Sequence, residues 1–308
     1  MHKNLLSFQL WSSEQAKALL DLAVRIKSAP SEYSNVLSGK TVVALFEKPS
    51  LRTRVSFDIG IHKLGGHMVY VDSQNQPMEK REDPIDVGAN LSQWTDAVVA
   101  RVYSHDTLVK LAAGGSIPVI NALCDRFHPC QALADYLTLT EADGQLKGKT
   151  LAYIGDGNNV THSLLILGIL LGVNQTVVTP VGYEIDANIR SFVENLAEEH
   201  GVKLMFSSNI EALRNTDYIY TDTWLSMGDT TPLHQIKDKF MPYQINQALL
   251  NKTGTRYVLH CQPAHRDLEI TGEVMDGDFS LLMQQAENRL HAQNAILAHL
   301  VGKIELDV

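Results

Sequence analysis

The segment FEKPSLRTRVSF (46–57) puts a serine, a threonine and two arginines between an apolar run and a helical pattern. The first N–H groups of a helix have no partner within it and carry the positive end of its dipole, so an anion is favoured there. Ser50 and Thr53 add hydroxyls. Arg52 and Arg54 add guanidinium forks that suit phosphate oxygens. Taken alone, the segment also reads as a plain helix cap with surface arginines.

Four more segments carry chemistry. In FHPCQALADY (127–136), His128 and Gln131 stand one helical turn apart, with Pro129 near the first helical position. No second histidine or carboxylate lies at ligand spacing, which argues against a metal there. GDGNNVTHS (155–163) has the strand–turn–helix look of a dinucleotide site, but Val160 stands where the third glycine belongs. The strand that follows ends in Thr179-Pro180 rather than in an acid for a ribose. Asn158 and Asn159 instead offer amide groups suited to an amino-acid backbone. TDTWLSMGD (221–229) puts Asp222 at a strand end, where a carboxylate accepts from an ammonium, and the turn Ser226-Met227-Gly228 can fold over a ligand. In LHCQPAHR (259–266), Cys261 follows an apolar strand that Pro263 stops; it reads as a small buried hydrophobe or as a thiol at a cleft mouth.

The elements that position these residues alternate. TVVALF (41–46) reads as a buried strand, RTRVSFDIGIHKLG as a helix and HMVYVD (67–72) as the next strand, which together make a βαβ unit. The pattern continues through AVVARVY, SIPVINAL and a helix on HPCQALADYLTLTEA. A polar, glycine-containing break at 144–149 interrupts it. It then restarts with TLAYIGD, an apolar helix around LLILGILLGV (164–173), TVVTP, KLMFS, YIYTD, RYVLHC and a long C-terminal helix carrying Arg289. Such alternation predicts an α/β chain of two domains, each a mostly parallel sheet flanked by helices.

At 308 residues the length also suits two domains, at roughly 100–200 residues each. A formal charge of −9 argues against general affinity for nucleic acid or an anionic membrane, so an anion site must be a local gathering of Arg and His. Three sparse cysteines (Cys124, Cys130 and Cys261) fit a reducing compartment without a disulfide framework. No stretch approaches the ~18 apolar residues of a membrane span, and the first residues lack a signal-peptide core. The expectation is a cytoplasmic protein.

Together and in this order, the motifs resemble the aspartate/ornithine carbamoyltransferase family over nearly the whole chain. S-x-R-T-R and H-P-x-Q mark the family; D-x-W-x-S-M-G and H-C-x-P mark its ornithine branch. The resemblance implies carbamoyl phosphate and L-ornithine as substrates, no metal or organic cofactor, and a homotrimer with active sites near subunit interfaces. It implies a carbamoyl-phosphate domain over 1–143 and an ornithine domain over 148–284, joined by interdomain helices. The C-terminal helix (285–308) returns to the first domain. Ser50, Leu51, Arg52 and Thr53 would wrap the phosphate. Arg101 would contact phosphate and carbamoyl oxygen. His128 would donate to that oxygen, Gln131 would hold the carbamoyl amide, and Arg289 would close the site. Gln76 would reach in from the loop after the second strand, with Gln74 as the alternative because the loop differs in length by about one residue. Asn159, Asp222, Ser226 and Met227 would hold ornithine, with residues 226–240 closing over it. Cys261 would stand at the reacting centre. Gln262 replaces the family's leucine in H-C-L-P: it can do the same work if that position acts through its backbone carbonyl, and substrate affinity would differ if the apolar side chain matters. Catalysis would fall to Arg52, Arg101, His128, Asp222 and Cys261.

Rival readings are an aspartate or acylated-ornithine enzyme, an NAD-dependent oxidoreductase and a non-catalytic binding protein. A second carboxylate would need extra cations, and Ser226-Met227-Gly228 offers none. The motifs suit either direction, arginine synthesis or the energy-yielding reverse.

Overall fold

The structure is a computed structural model describing residues 2–74, 77–224 and 232–308. The chain divides into two compact units, Met1–Leu137 with Asn288–Val308, and Thr138–Glu287.

In the first unit, α1 (Ser13–Ser28) is held at its start by a capping box between Ser12 and Gln15. There follow β1 (Thr41–Phe46), α2 (Leu51–Lys63), β2 (His67–Asp72), α3 (Pro84–Leu91), β3 (Ala97–Arg101), α4 (His105–Gly114), β4 (Val119–Leu123) and the first part of α5 (Pro129–Asp143). The strands form a parallel sheet ordered β2-β1-β3-β4. Helices cover both faces of a parallel sheet, so its inner strands read as continuous apolar runs. TVVALF and AVVAR are such runs, buried along almost their full length.

The second unit contains β5 (Thr150–Ile154), α6 (Asn159–Leu170), β6 (Asn174–Val178), α7 (Ala187–His200), β7 (Leu204–Ser207) and β8 (Tyr218–Thr221). It goes on through α8 (Leu233–Phe240), α9 (Gln247–Thr253), β9 (Tyr257–His260), α10 (Gly272–Asp276) and the start of α11 (Leu282–Leu300). Its parallel sheet is ordered β7-β6-β5-β8-β9. The helix expected around 164–173 is α6, buried on every side from Val160 to Leu170. The unit boundaries fall inside α5 and inside α11.

α7 is absent from the alternation read off the sequence. Its apolar residues Ile189, Phe192, Val193, Leu196 and Ala197 recur at helical spacing among polar ones, and Ile189, Val193 and Ala197 of these are buried. That spacing was the available signal.

Each sheet reverses its strand order once, between β1 and β3 in the first and between β5 and β8 in the second. In open parallel sheets the loops leaving the strands at such a point diverge to opposite faces and open a crevice at the carboxyl ends. The chemistry-bearing segments fall there. Ser50 follows β1, and Arg101 ends β3 opposite Phe46. Asn158 follows β5, and Asp222 follows β8.

Candidate functional site

In the first unit Ser50 is the N-cap of α2. Its Oγ accepts from the Thr53 N–H at 3.3 Å and donates to Thr53 Oγ1 at 2.9 Å. A short capping side chain here ties down one early helical donor and shapes the remaining ones toward the crevice. Thr53 is buried. Arg52 and Leu51 are exposed, and Arg54 stacks on Tyr70 with its guanidinium carbon 3.9 Å from the ring centroid.

A continuous hydrogen-bond chain runs from this cap into α11 and α5. Arg289 donates from Nη2 to Thr53 Oγ1 at 3.1 Å and from Nη1 to Gln131 Oε1 at 2.6 Å. Gln131 Nε2 donates to Asp135 Oδ1 at 2.7 Å. Gln131, Asp135 and Arg289 are all buried. Asp135 therefore sets which way the Gln131 amide faces, and Gln131 and Thr53 set the guanidinium plane.

Arg101 is buried at the end of β3, where the β3–β4 register shifts between Ala100 and Arg101. Such an irregularity re-aims a side chain relative to its strand. His128 is buried at the turn into α5. Burial, and then the charges of Arg289 and Arg101, hold its pKa well below the ordinary 6.5. It is a neutral imidazole at neutral pH and can donate one ring N–H.

Two further residues belong to this cluster. Glu47 is buried and accepts from Met78 N at 2.7 Å and from Tyr103 N at 3.0 Å, pinning the loops that follow β2 and β3. Lys48 lies 4.8 Å from the Tyr103 ring centroid, and burial, then Arg101, lowers its pKa. Both stand beside Ser50 in the sequence, but only the tertiary fold shows which loops they meet. Gln74 folds back on Asp72, its N–H donating to Oδ1 at 3.0 Å. Gln76 lies outside the described residues, as do Ser226 and Met227.

In the second unit Asp222 is buried just past β8. Its Oδ1 accepts from Thr223 N at 2.8 Å and from the Cys261 thiol at 2.9 Å, while its Oδ2 accepts from Asn158 Nδ2 at 3.0 Å. Asn158 also caps α6, its Oδ1 accepting from Val160 N at 3.0 Å and Thr161 N at 3.3 Å. Asn159 is the next residue, half-buried at the first position of α6.

Cys261 is half-buried, and Gln262 after it has φ of +58° and a cis bond to Pro263. Gln262 N donates to His260 Nδ1 at 2.9 Å, so the His260 proton sits on Nε2, 3.2 Å from Glu269 Oε1. Asp222, His260 and Cys261 offer metal-ligating atoms within 4.8 Å of one another. A histidine ligand needs a free ring lone pair. Here Nδ1 already accepts and Nε2 carries the proton, so the trio is organised around hydrogen bonds.

These clusters define a class: a parallel α/β protein with a buried cluster of arginine, amide and hydroxyl groups in one unit and a carboxylate–thiol pair in the other. Residues 3–141 match the carbamoyl-P binding domain of aspartate/ornithine carbamoyltransferase, and residues 147–300 match its Asp/Orn binding domain. The chain belongs to the aspartate/ornithine carbamoyltransferase family. The ornithine carbamoyltransferase of Vibrio sp. (strain 2693) is 56% identical over 299 residues, which span 97% of this chain and 99% of that protein. The ornithine carbamoyltransferase structure from Pyrococcus furiosus superposes with a TM-score of 0.93 at 40% identity, covering 98% of each chain. An acetylornithine transcarbamylase complexed with acetylcitrulline superposes with a TM-score of 0.87 at 28% identity, over 97% of this chain and 99% of that one. The fold thus serves more than one amine.

Proposed function

We propose that this protein transfers the carbamoyl group of carbamoyl phosphate to the side-chain amine of L-ornithine, giving L-citrulline and phosphate. The observation that carries this reading is the contact of Cys261 with Asp222 at the ends of β9 and β8. A buried carboxylate paired with a thiol suits an amine and offers no cation for the second carboxylate of aspartate.

By analogy with lysine, whose pKa is ~10.4, on the order of one ornithine side chain in a thousand is a neutral nucleophile near neutral pH. Asp222 and Cys261 position the amine, and the α-amino acid end falls to Asn159, Ser226 and Met227. The first unit holds the donor. Ser50, Thr53, the Leu51 backbone and Arg52 take the phosphate oxygens, with Arg101, Arg289 and Gln76 around them. The Gln131 carbonyl, which accepts from Arg289, has capacity for a second donor, the carbamoyl N–H. The Gln262 carbonyl offers another acceptor.

The amine nitrogen attacks the carbamoyl carbon, and the carbonyl electron pair moves onto oxygen. Arg101 and neutral His128 donate to that oxyanion, each such donor being worth roughly 2.7–4 kcal/mol. Collapse expels phosphate, which takes up the amine proton. Aligning two bound substrates supplies much of the rate.

We also read the active form as a trimer in the cytoplasm. Leu51, Val55 and Ile59 form an exposed apolar stripe on α2, beside the exposed Val69 and Val71 of edge strand β2. Exposed apolar area beside an unpaired strand edge suits burial by a second copy. Three free cysteines suit a reducing compartment, and among the described residues no helix is long and apolar enough to cross a membrane.

A colorimetric citrulline assay with carbamoyl phosphate and ornithine, N-acetylornithine, N-succinylornithine or aspartate tests the reading. Turnover with ornithine is expected; turnover only with another amine overturns it. Arg101→Ala should lower kcat about a hundredfold or more.

A further inference from the structure

We infer that Asn158 is a positioning residue that presents Asp222 to the substrate amine, and that its use as a helix cap is what gives it this role. The inference deepens the proposed amine site and rests on that reading.

An asparagine amide can turn either end toward a neighbour. At 158 the choice is made by α6: the N–H groups of Val160 and Thr161 both need an acceptor, and Asn158 Oδ1 serves them at 3.0 and 3.3 Å. The amide nitrogen then has one direction left, toward Asp222 Oδ2 at 3.0 Å. A flip would cost two helix-cap bonds and bring one oxygen against another. The backbone of β5–α6 therefore fixes the orientation of a donor that in turn fixes the carboxylate.

On the other oxygen, Thr223 N and the Cys261 thiol donate to Asp222 Oδ1. A carboxylate has about four lone-pair positions. Three are met by protein donors arriving from the segment just past β8, the β5–α6 turn and the segment after β9. These donors prevent rotation of the carboxylate and narrow the directions from which a substrate nitrogen can approach. Asn158 meets Asp222 with a side-chain amide whose geometry is set by a helix terminus. Asn159, one position on, lies inside the helix and is a candidate for direct substrate contact. The adjacent asparagines thus divide the work.

The two roles of Asn158 separate by substitution. Asn158→Ser keeps a good cap but its hydroxyl is too short to serve both α6 and Asp222. Asn158→Asp also keeps the cap, and replaces the donor to Asp222 by a carboxylate oxygen. Both proteins are assayed at full length with carbamoyl phosphate and ornithine, with thermal unfolding followed alongside. A hydrogen bond to a charged group is worth roughly a tenfold or larger change in binding. The expected result is an ornithine KM raised about tenfold or more in Asn158→Ser and further in Asn158→Asp, with the carbamoyl phosphate KM within about twofold of the parent. A purely structural role would move both KM values together with the melting temperature. An Asn158→Ser enzyme with an unchanged ornithine KM overturns the inference, as does an equal rise in both KM values. If the parent uses another amine, the comparison is made on that amine, so failure of the ornithine reading does not pass for failure of the positioning role. If Asn158→Asp does not fold, Asn158→Ser decides.

Discussion

At the residue scale, the buried arginine, amide and hydroxyl cluster is built from groups that no local pattern links. Arg289 is 158 positions from Gln131 and 236 from Thr53 in the chain, yet one guanidinium bonds both. Lysine cannot reproduce a planar two-pronged donor. Arg289→Lys should therefore raise the carbamoyl phosphate KM about tenfold while leaving the ornithine KM near that of the parent, measured by steady-state kinetics on each substrate. His128 leads to a pH prediction. Its pKa is held well below 6.5 by burial and by Arg289 and Arg101, so it stays neutral through the mildly acid range. A fall of kcat with a midpoint near 6.5 that disappears in His128→Gln would contradict that neutral state.

At the element scale, the turn between β5 and α6 explains a look-alike. Gly155 and Gly157 suggest a dinucleotide fingerprint, but Gly157 serves packing. A Cβ there would lie 2.5 Å from Ile185 N and 2.8 Å from Tyr183 O, both backbone atoms that cannot swing aside. Gly157→Ala should destabilise the protein by about 1–3 kcal/mol through forced backbone shifts, read as a lower denaturant midpoint with an unchanged slope. It should also raise the ornithine KM, because the displaced turn carries Asn158. An unaltered midpoint would mean that the 183–185 segment yields freely. How much was legible at this scale follows from amphipathicity. Parallel strands and the apolar stretch of α6 stand out as runs, whereas α7 intersperses its apolar positions with polar and charged ones.

At the scale of the whole molecule, three buried or half-buried histidines share one sign. Burial is the largest cause lowering His105, His128 and His299 below 6.5, joined by neighbouring positive charge. Below about pH 6.5 the unfolded chain takes up protons that these folded sites refuse, so stability falls as pH drops. The carboxylates whose pKa is lowered, such as Asp96 and Asp143, act in the other window. Their contribution is present above the unfolded value and lost as pH falls through the folded one, below about pH 4. The melting temperature should therefore already decline between about pH 7 and 5.5, and less so in His128→Gln; a flat profile there would contradict the histidine assignment. The assembly reading is tested by Val55→Asp with Ile59→Asp. Light scattering should give three times the chain mass for the parent and less for the variant, and a parent of single-chain mass would refute the trimer.

The sequence by itself determined the α/β alternation and the family. Each rests on local order: apolar runs make parallel strands, and Ser50, Arg52, His128 and Asp222 sit in short motifs that end those strands. Which residues hold those motifs in place was decided by tertiary structure alone. Arg289 on Thr53 and Gln131, Asp135 on Gln131, Glu47 on two loops and Asn158 on Asp222 are hydrogen bonds between elements. Strand order decided them, because a crevice exists only where a parallel sheet reverses its winding, and no spacing within one segment encodes which strand lies beside it.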